Sequence, residues 1–139
     1  MRITLESDYA LRILSALAMH EDRIDAKTLS DEISVTQRFT LKILHKLVQS
    51  DFVKSYKGVK GGYKLNIAPE KITLKAVIEL IDGPIVLSRC LESSECCSMN
   101  ADKTACTYHH IFESISLDVA KKLAGITISD VLNKNYTLK

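Results

Sequence analysis

Apolar residues along the first fifty positions recur at spacings of three and four. In residues 7–20, Tyr9, Ala10, Ile13, Leu14, Leu17 and Ala18 fall on one stripe, which predicts a helix with Ser7 or Asp8 as its N-cap. After the polar break EDRID, Ala26, Leu29 and Ile33 line one face of a short second helix over 26–33. Ser34 and Val35 separate it from TQRFTLKILHKLVQS, where Phe39, Ile43, Leu44, Leu47 and Val48 form the apolar stripe. Three helices with a tight turn before the third predict a helix-turn-helix. The period then shortens to two. DFVKSYK (51–57) and YKLNI (63–67) alternate around GVKGG, a β-hairpin with a glycine-rich, lysine-bearing tip. A helix-turn-helix followed by a basic hairpin is a winged-helix arrangement.

Pro69 opens a second segment. Residues 72–83 carry Leu74, Val77, Ile78 and Ile81 at helical spacing, with Gly83-Pro84 as a stop. Further on, Tyr108, Ile111, Phe112, Ile115, Val119 and Leu123 form one stripe of a long helix that Gly125 ends, and 128–132 reads as a short terminal turn of helix. The expected fold class is mainly α with a small β-hairpin wing. A winged helix-turn-helix DNA-binding domain spans 1–68, and 69–139 holds a helix, a cysteine-rich loop (90–110) and a dimerisation helix. The small winged-helix core leaves little apolar surface to cover that long helix, so a second copy is expected to cover it, giving a homodimer whose two recognition helices match a two-fold operator.

Composition agrees with a folded chain. It has 139 residues, 46% of them hydrophobic, with two prolines and five glycines, enough for a core without disulfides. The N-terminus has no apolar run behind Arg2, and no stretch approaches the roughly 20 apolar residues that span a bilayer. A soluble, cytoplasmic protein with no membrane partner is expected. In that compartment clustered cysteines point to metal binding or redox chemistry rather than to staples.

The net charge of +2 says little, but its distribution says more. Between Thr36 and Asn66 stand seven basic residues (Arg38, Lys42, Lys46, Lys54, Lys57, Lys60, Lys64) and one acid, Asp51, a balance of +6 that leaves −4 for the rest of the chain. Such a segment is the footprint of a nucleic-acid-binding surface. At the start of the third helix, Thr36, Gln37, Arg38 and Thr40 are placed to reach base edges. Glutamine can pair with adenine and arginine with guanine in bidentate fashion. Lys42 and Lys46 suit phosphate contacts, which add affinity without sequence information. On the wing, Lys57 and Lys60 flank Gly58, Gly61 and Gly62, whose missing side chains would permit close approach to DNA, with Tyr63 next to them.

All four cysteines and two of the four histidines lie within 90–110: Cys90, Cys96, Cys97, Cys106, His109 and His110. Thiolates and imidazoles ligate zinc, copper(I) or an iron–sulfur cluster. Only Cys106 and His109 have the close spacing of a structural zinc pair. Adjacent side chains rarely share one metal, so one of the two histidines at most is a ligand, and Cys97 is the thiol least expected to be one. No catalytic pairing appears. GVKGG lies between two strands rather than before a helix, so it is not a nucleotide-binding loop and an enzyme is not expected.

Taken in order, MRITLESDYALRIL, ISVTQRFTLKILHKL, VKSYKGVKGGYKL, ITLKAVIELIDGP and the cysteine loop resemble the IscR/NsrR family of bacterial winged-helix transcription regulators over essentially the whole chain. The resemblance implies a homodimer that binds a double-stranded DNA operator and senses iron–sulfur, nitric oxide or redox status. It also implies three cluster ligands at Cys90, Cys96 and Cys106. The fourth would be His109, as in one branch, or Asp8 from the other subunit, as in another. A 2Fe–2S cluster is favoured over 4Fe–4S, and zinc comes after both. Two departures stand out: the Cys96–Cys106 loop is longer than the family's, with Cys97 extra and able to substitute for Cys96. Leu41 also stands where the family often has an acid. The alternative is a zinc-binding or thiol–disulfide redox-switch regulator without an iron–sulfur cluster.

Overall fold

A computed structural model describes residues 2–93, 97, 99 and 102–136. Helix α1 (Leu5–Met19) starts at Thr4, whose side chain accepts a hydrogen bond from the Ser7 amide. The cap therefore precedes the expected Ser7 or Asp8, and Ser7 is itself fully buried inside the helix. Helix α2 (Ala26–Ile33) is capped by Asp25, which accepts from the Thr28 amide, and ends at Ser34 in the left-handed conformation, φ 56°. That single residue turns the chain into α3 (Gln37–Gln49), capped by Thr36. A positive φ is uncommon for any residue but glycine, which marks Ser34 as a sharply constrained turn position.

Strands β1 (Val53–Tyr56) and β2 (Gly62–Leu65) pair antiparallel, with Val53 opposite Leu65 and Tyr56 opposite Gly62. An isolated bridge between Ile24 and Tyr63 ties the hairpin to the chain just before α2. A single 3-10 turn at Pro69–Lys71 leads to α4 (Leu74–Asp82), and another covers Arg89–Leu91. Helix α5 (Thr107–Ala124) and helix α6 (Ile128–Asn133) complete the described chain. A capping box between Thr127 and Asp130 starts α6, satisfying two helix-end donors reciprocally.

Ile13, Leu14, Leu17, Leu29, Ile43, Leu44, Leu47 and Val53 are buried together, and Ile72, Val77 and Ile128 belong to the same cluster. Burying each of the larger aliphatic side chains contributes on the order of 1.5–3 kcal/mol. The core thus draws residues from both sides of position 68. The return is held by backbone bonds: the Ile128 amide donates to Ile72 O at 2.9 Å, and the Leu74 amide to Ile126 O at 2.9 Å.

Helix α5 behaves differently. Ser116 is its one buried residue; the hydroxyl donates to Phe112 O and accepts from the Leu87 amide at 3.0 Å. Tyr108, Ile111, Phe112 and Ile115 are exposed, Tyr108 at 73%. Val119 and Leu123 are half-buried.

Candidate nucleic-acid interface and cysteine segment

The N-terminal turn of α3 presents Thr36, Gln37 and Arg38 to solvent, with Leu41 exposed one turn on. The Thr36 hydroxyl is occupied as the helix cap, accepting from the Phe39 amide at 3.4 Å. Phe39 packs edge-on against Tyr9 with ring centroids 6.4 Å apart. Thr40 corrects the expectation. It is fully buried and its hydroxyl donates to Thr36 O at 3.1 Å. It lies on the Ile43–Leu44–Leu47 face, so it braces the helix against the core rather than meeting a base.

Lys42 and Lys46 follow Arg38 at successive spacings of four, which puts the three on one stripe. Both lysines are paired with Glu6 in the first turn of α1; the Lys46 Nζ donates to Glu6 Oε2 at 2.9 Å and the Lys42 Nζ to Oε1. These bonds, first Lys42 and then Lys46, hold the Glu6 carboxyl far down, at a pKa of about 2. Glu6 was not legible as part of this surface, since nothing in the linear pattern links it to α3.

At the wing, Lys57, Val59 and Lys60 are exposed. Gly61 and Gly62 also meet a requirement within the protein itself. A Cβ on Gly61 would lie 2.6 Å from Tyr56 O, and one on Gly62 would lie 2.7 Å from Ile24 O, at φ +145°. These glycines let the hairpin close on itself and on the preceding loop. Tyr63 is half-buried and bonds Ile24 through both backbone groups, at 2.9 and 3.1 Å. Arg23, outside the basic segment, lies over the Tyr56 ring at 3.5 Å and donates to Lys60 O at 3.4 Å. It stiffens the wing from below.

In the cysteine segment, Cys90 sits in the 3-10 turn with its sulfur 3.2 Å from the Ser88 hydroxyl. Cys106 is the N-cap of α5, and its thiol makes no capping hydrogen bond. His110 Nε2 donates to Thr104 O at 2.9 Å, while half-buried His109 meets the His110 ring edge-on at 6.0 Å. The two histidines are thereby distinguished: His110 closes the loop, and His109 lies one helical turn from Cys106. Cys97 is half-buried. Cys96 lies outside the described residues. Asp8, on α1, is ion-paired to Arg12 at 2.7 Å. Among the described residues no three His, Cys, Asp or Glu side chains converge on one point. The donor set around the start of α5 is nevertheless thiol and imidazole, a chemistry that suits a thiolate-held iron–sulfur cluster or zinc.

The family model described as Rrf2, iron-dependent transcriptional regulator, matches residues 3–134. A protein of Aquifex aeolicus (strain VF5) named as an HTH-type transcriptional regulator is 32% identical over 126 residues, covering 90% of this chain and 87% of its own length. The regulator IscR of Aliivibrio salmonicida is 23% identical, covering 97% and 79%. Among solved structures, CymR, the global cysteine regulator of B. subtilis, superposes with a TM-score of 0.79 at 21% identity, covering 96% of this chain and 98% of its own. T. potens IscR gives 0.76 at 18%, covering 98% and 89%. At such identities the superpositions establish the shared winged-helix fold. The family match runs through both the helix-turn-helix and the cysteine segment, and this chain belongs to the Rrf2 family of DNA-binding transcriptional regulators, not to the enzymes.

Proposed function

We propose that this regulator binds a two-fold DNA operator as a cytoplasmic homodimer and adjusts that binding through an iron–sulfur cluster. Gln37 and Arg38 read base edges from the exposed start of α3, Thr36 fixes that start as its cap, and Lys42, Lys46, Lys57 and Lys60 meet phosphates. Gly61, Gly62 and Tyr63 set the shape of the wing. The exposed Tyr108–Ile115 stripe of α5 is the surface that a second copy covers, since apolar patches of this kind mark association sites. Cys90, Cys96 and Cys106 would hold the cluster, 2Fe–2S in preference to 4Fe–4S, with His109 favoured over Asp8 as fourth ligand.

The observation that carries this reading is the placement of one thiol and one imidazole donor at the start of α5: Cys106 at its cap and His109 in its first turn. Asp8 already has Arg12 as a partner. When bound, the cluster would supply a group that oxidants and nitric oxide alter. The chain's part is to link the turn at Cys90 to the start of α5. A change there can alter DNA affinity only as far as the two states bind the group differently.

A thiol–disulfide switch is the second reading. It draws on the adjacent Cys96 and Cys97, and on the likeness to Staphylococcus aureus CymR, one structure of which is described as an oxidized form. Absorbance and electron paramagnetic resonance of anaerobically purified protein, with iron, sulfide and zinc assays, separate the readings. Stoichiometric iron and sulfide with visible absorbance are expected. Colourless protein whose DNA binding follows thiol oxidation alone would replace the cluster with the disulfide, and stoichiometric zinc would replace it with a zinc site.

A further inference from the structure

Glu6 lies on α1, outside the basic stripe of α3, yet it holds two of that stripe's lysines. Its carboxylate bridges Lys42 and Lys46, the second at 2.9 Å. Its own position is fixed by the residues around it. Thr4, two residues earlier, caps α1, and its amide donates to the Asp82 carboxylate at the end of α4 at 3.1 Å, with the Thr4 hydroxyl bonding the same carboxylate. The start of α1 is thus pinned between α4 and the outer stripe of α3. Side-chain exposure is 53% for Lys42, 37% for Lys46 and 29% for Glu6, so both lysines remain partly open to solvent while paired with the carboxylate.

This arrangement leaves the Arg38–Lys42–Lys46 stripe with one positive charge cancelled from inside the protein. Non-specific DNA binding rests almost wholly on phosphate neutralisation and counterion release, whereas base reading at Gln37 and Arg38 does not depend on those lysines. We infer that Glu6 is an internal counter-ion that competes with DNA phosphates for Lys42 and Lys46, restraining sequence-independent binding more than operator binding. The inference rests on the reading of α3 as the DNA-contacting helix. Its chemistry is that of a specificity-determining residue that never touches DNA.

The test uses the full chain and two duplexes: one selected by the wild-type protein from a random pool, and a scrambled duplex of the same composition. Affinities are measured over a KCl series for wild type, Glu6→Gln, Glu6→Asp, the Lys42→Gln/Lys46→Gln double variant, and Glu6→Gln in that double background. Glu6→Gln is expected to tighten scrambled-duplex binding roughly threefold to tenfold. It should also steepen the slope of log K against log salt by about 1, one effective charge. The selected duplex should gain less, and Glu6→Asp, which keeps the charge, should resemble wild type. In the double lysine background Glu6→Gln should have a much smaller effect, since only the direct repulsion of phosphates by the carboxylate remains.

If Glu6→Gln leaves scrambled binding and slope unchanged while the lysine variant weakens and flattens both, the inference is overturned and the reading of α3 stands. If Glu6→Asp tightens binding as much as Glu6→Gln, charge is not the cause and the inference is again overturned. If the lysine variant itself changes neither affinity nor slope, the phosphate role of these lysines fails, and the inference with it.

Discussion

Helices α3 and α5 carry the same period of apolar residues and use it in opposite ways. In α3, Ile43, Leu44 and Leu47 are fully buried, whereas in α5 Tyr108, Ile111, Phe112 and Ile115 remain 37–73% exposed. Periodicity identifies which face of a helix is apolar, and only tertiary structure says what covers it. The helix-turn-helix closes its core within one chain, with help from Ile72, Val77 and Ile128. Helix α5 is anchored through Ser116 to Leu87 and offers the rest of its stripe outward.

The contrast can be broken most forcefully from the α3 side. Leu44→Ala should lower folding stability by about 2–5 kcal/mol, read as a lower urea midpoint with an unchanged m-value. The corresponding change on α5 should act on association instead. Ile111→Ala with Phe112→Ala should weaken dimerisation by about 2–4 kcal/mol, seen by sedimentation. The dissociated subunit's own unfolding should shift by no more than about 0.5 kcal/mol. A fall in subunit stability comparable to that of Leu44→Ala would erase the distinction between the two helices.

A smaller effect is expected where the C-terminal half returns to the core. Thr127→Ala removes the α6 capping box and should cost about 1 kcal/mol, with faster amide exchange along α6 and at Leu74. Smallest is the pH dependence of the Glu6 clamp. Its carboxyl falls from an ordinary 4.5 to about 2 on folding. A depressed carboxyl stabilises the fold fully above the unfolded value, and that contribution disappears as pH falls from 4.5 toward about 2. The lysines are well exposed, so the contribution is under about 1 kcal/mol. The difference in urea midpoint between wild type and Glu6→Gln should shrink as pH is lowered from about 6 to about 3.

Much of the fold was written locally. Helix α2 occupies the expected 26–33, and Thr36 and Gly83 stand at the helix ends that their types favour. Thr40 was misplaced on the DNA-facing surface although its spacing of three and four to Ile43 and Leu44 put it on the buried stripe. Its polarity outweighed its position. Gly61 and Gly62 were legible as turn residues, but not the carbonyls of Tyr56 and Ile24 that exclude a side chain, because Ile24 reaches the wing only through tertiary contact. The same holds for Arg23 under Tyr56 and for Glu6 beside Lys42, pairs that no local spacing relates. The candidate ligands were legible as chemistry. Asp8 and Arg12 stand at the i,i+4 spacing of a helical ion pair, whereas the bond of His110 to Thr104 O was not legible.

Under the proposed function, the cysteine segment adjusts a DNA reader whose core includes Ile72, Val77 and Ile128. Cys106→Ala tests this most directly, with iron, sulfide and operator affinity measured on one anaerobic sample beside wild type before and after iron removal. The account predicts that the variant loses iron and visible absorbance, stays folded, and binds the operator as iron-depleted wild type does. A variant that kept wild-type iron and absorbance, or that stayed folded but bound no DNA where iron-depleted wild type still did, would contradict it.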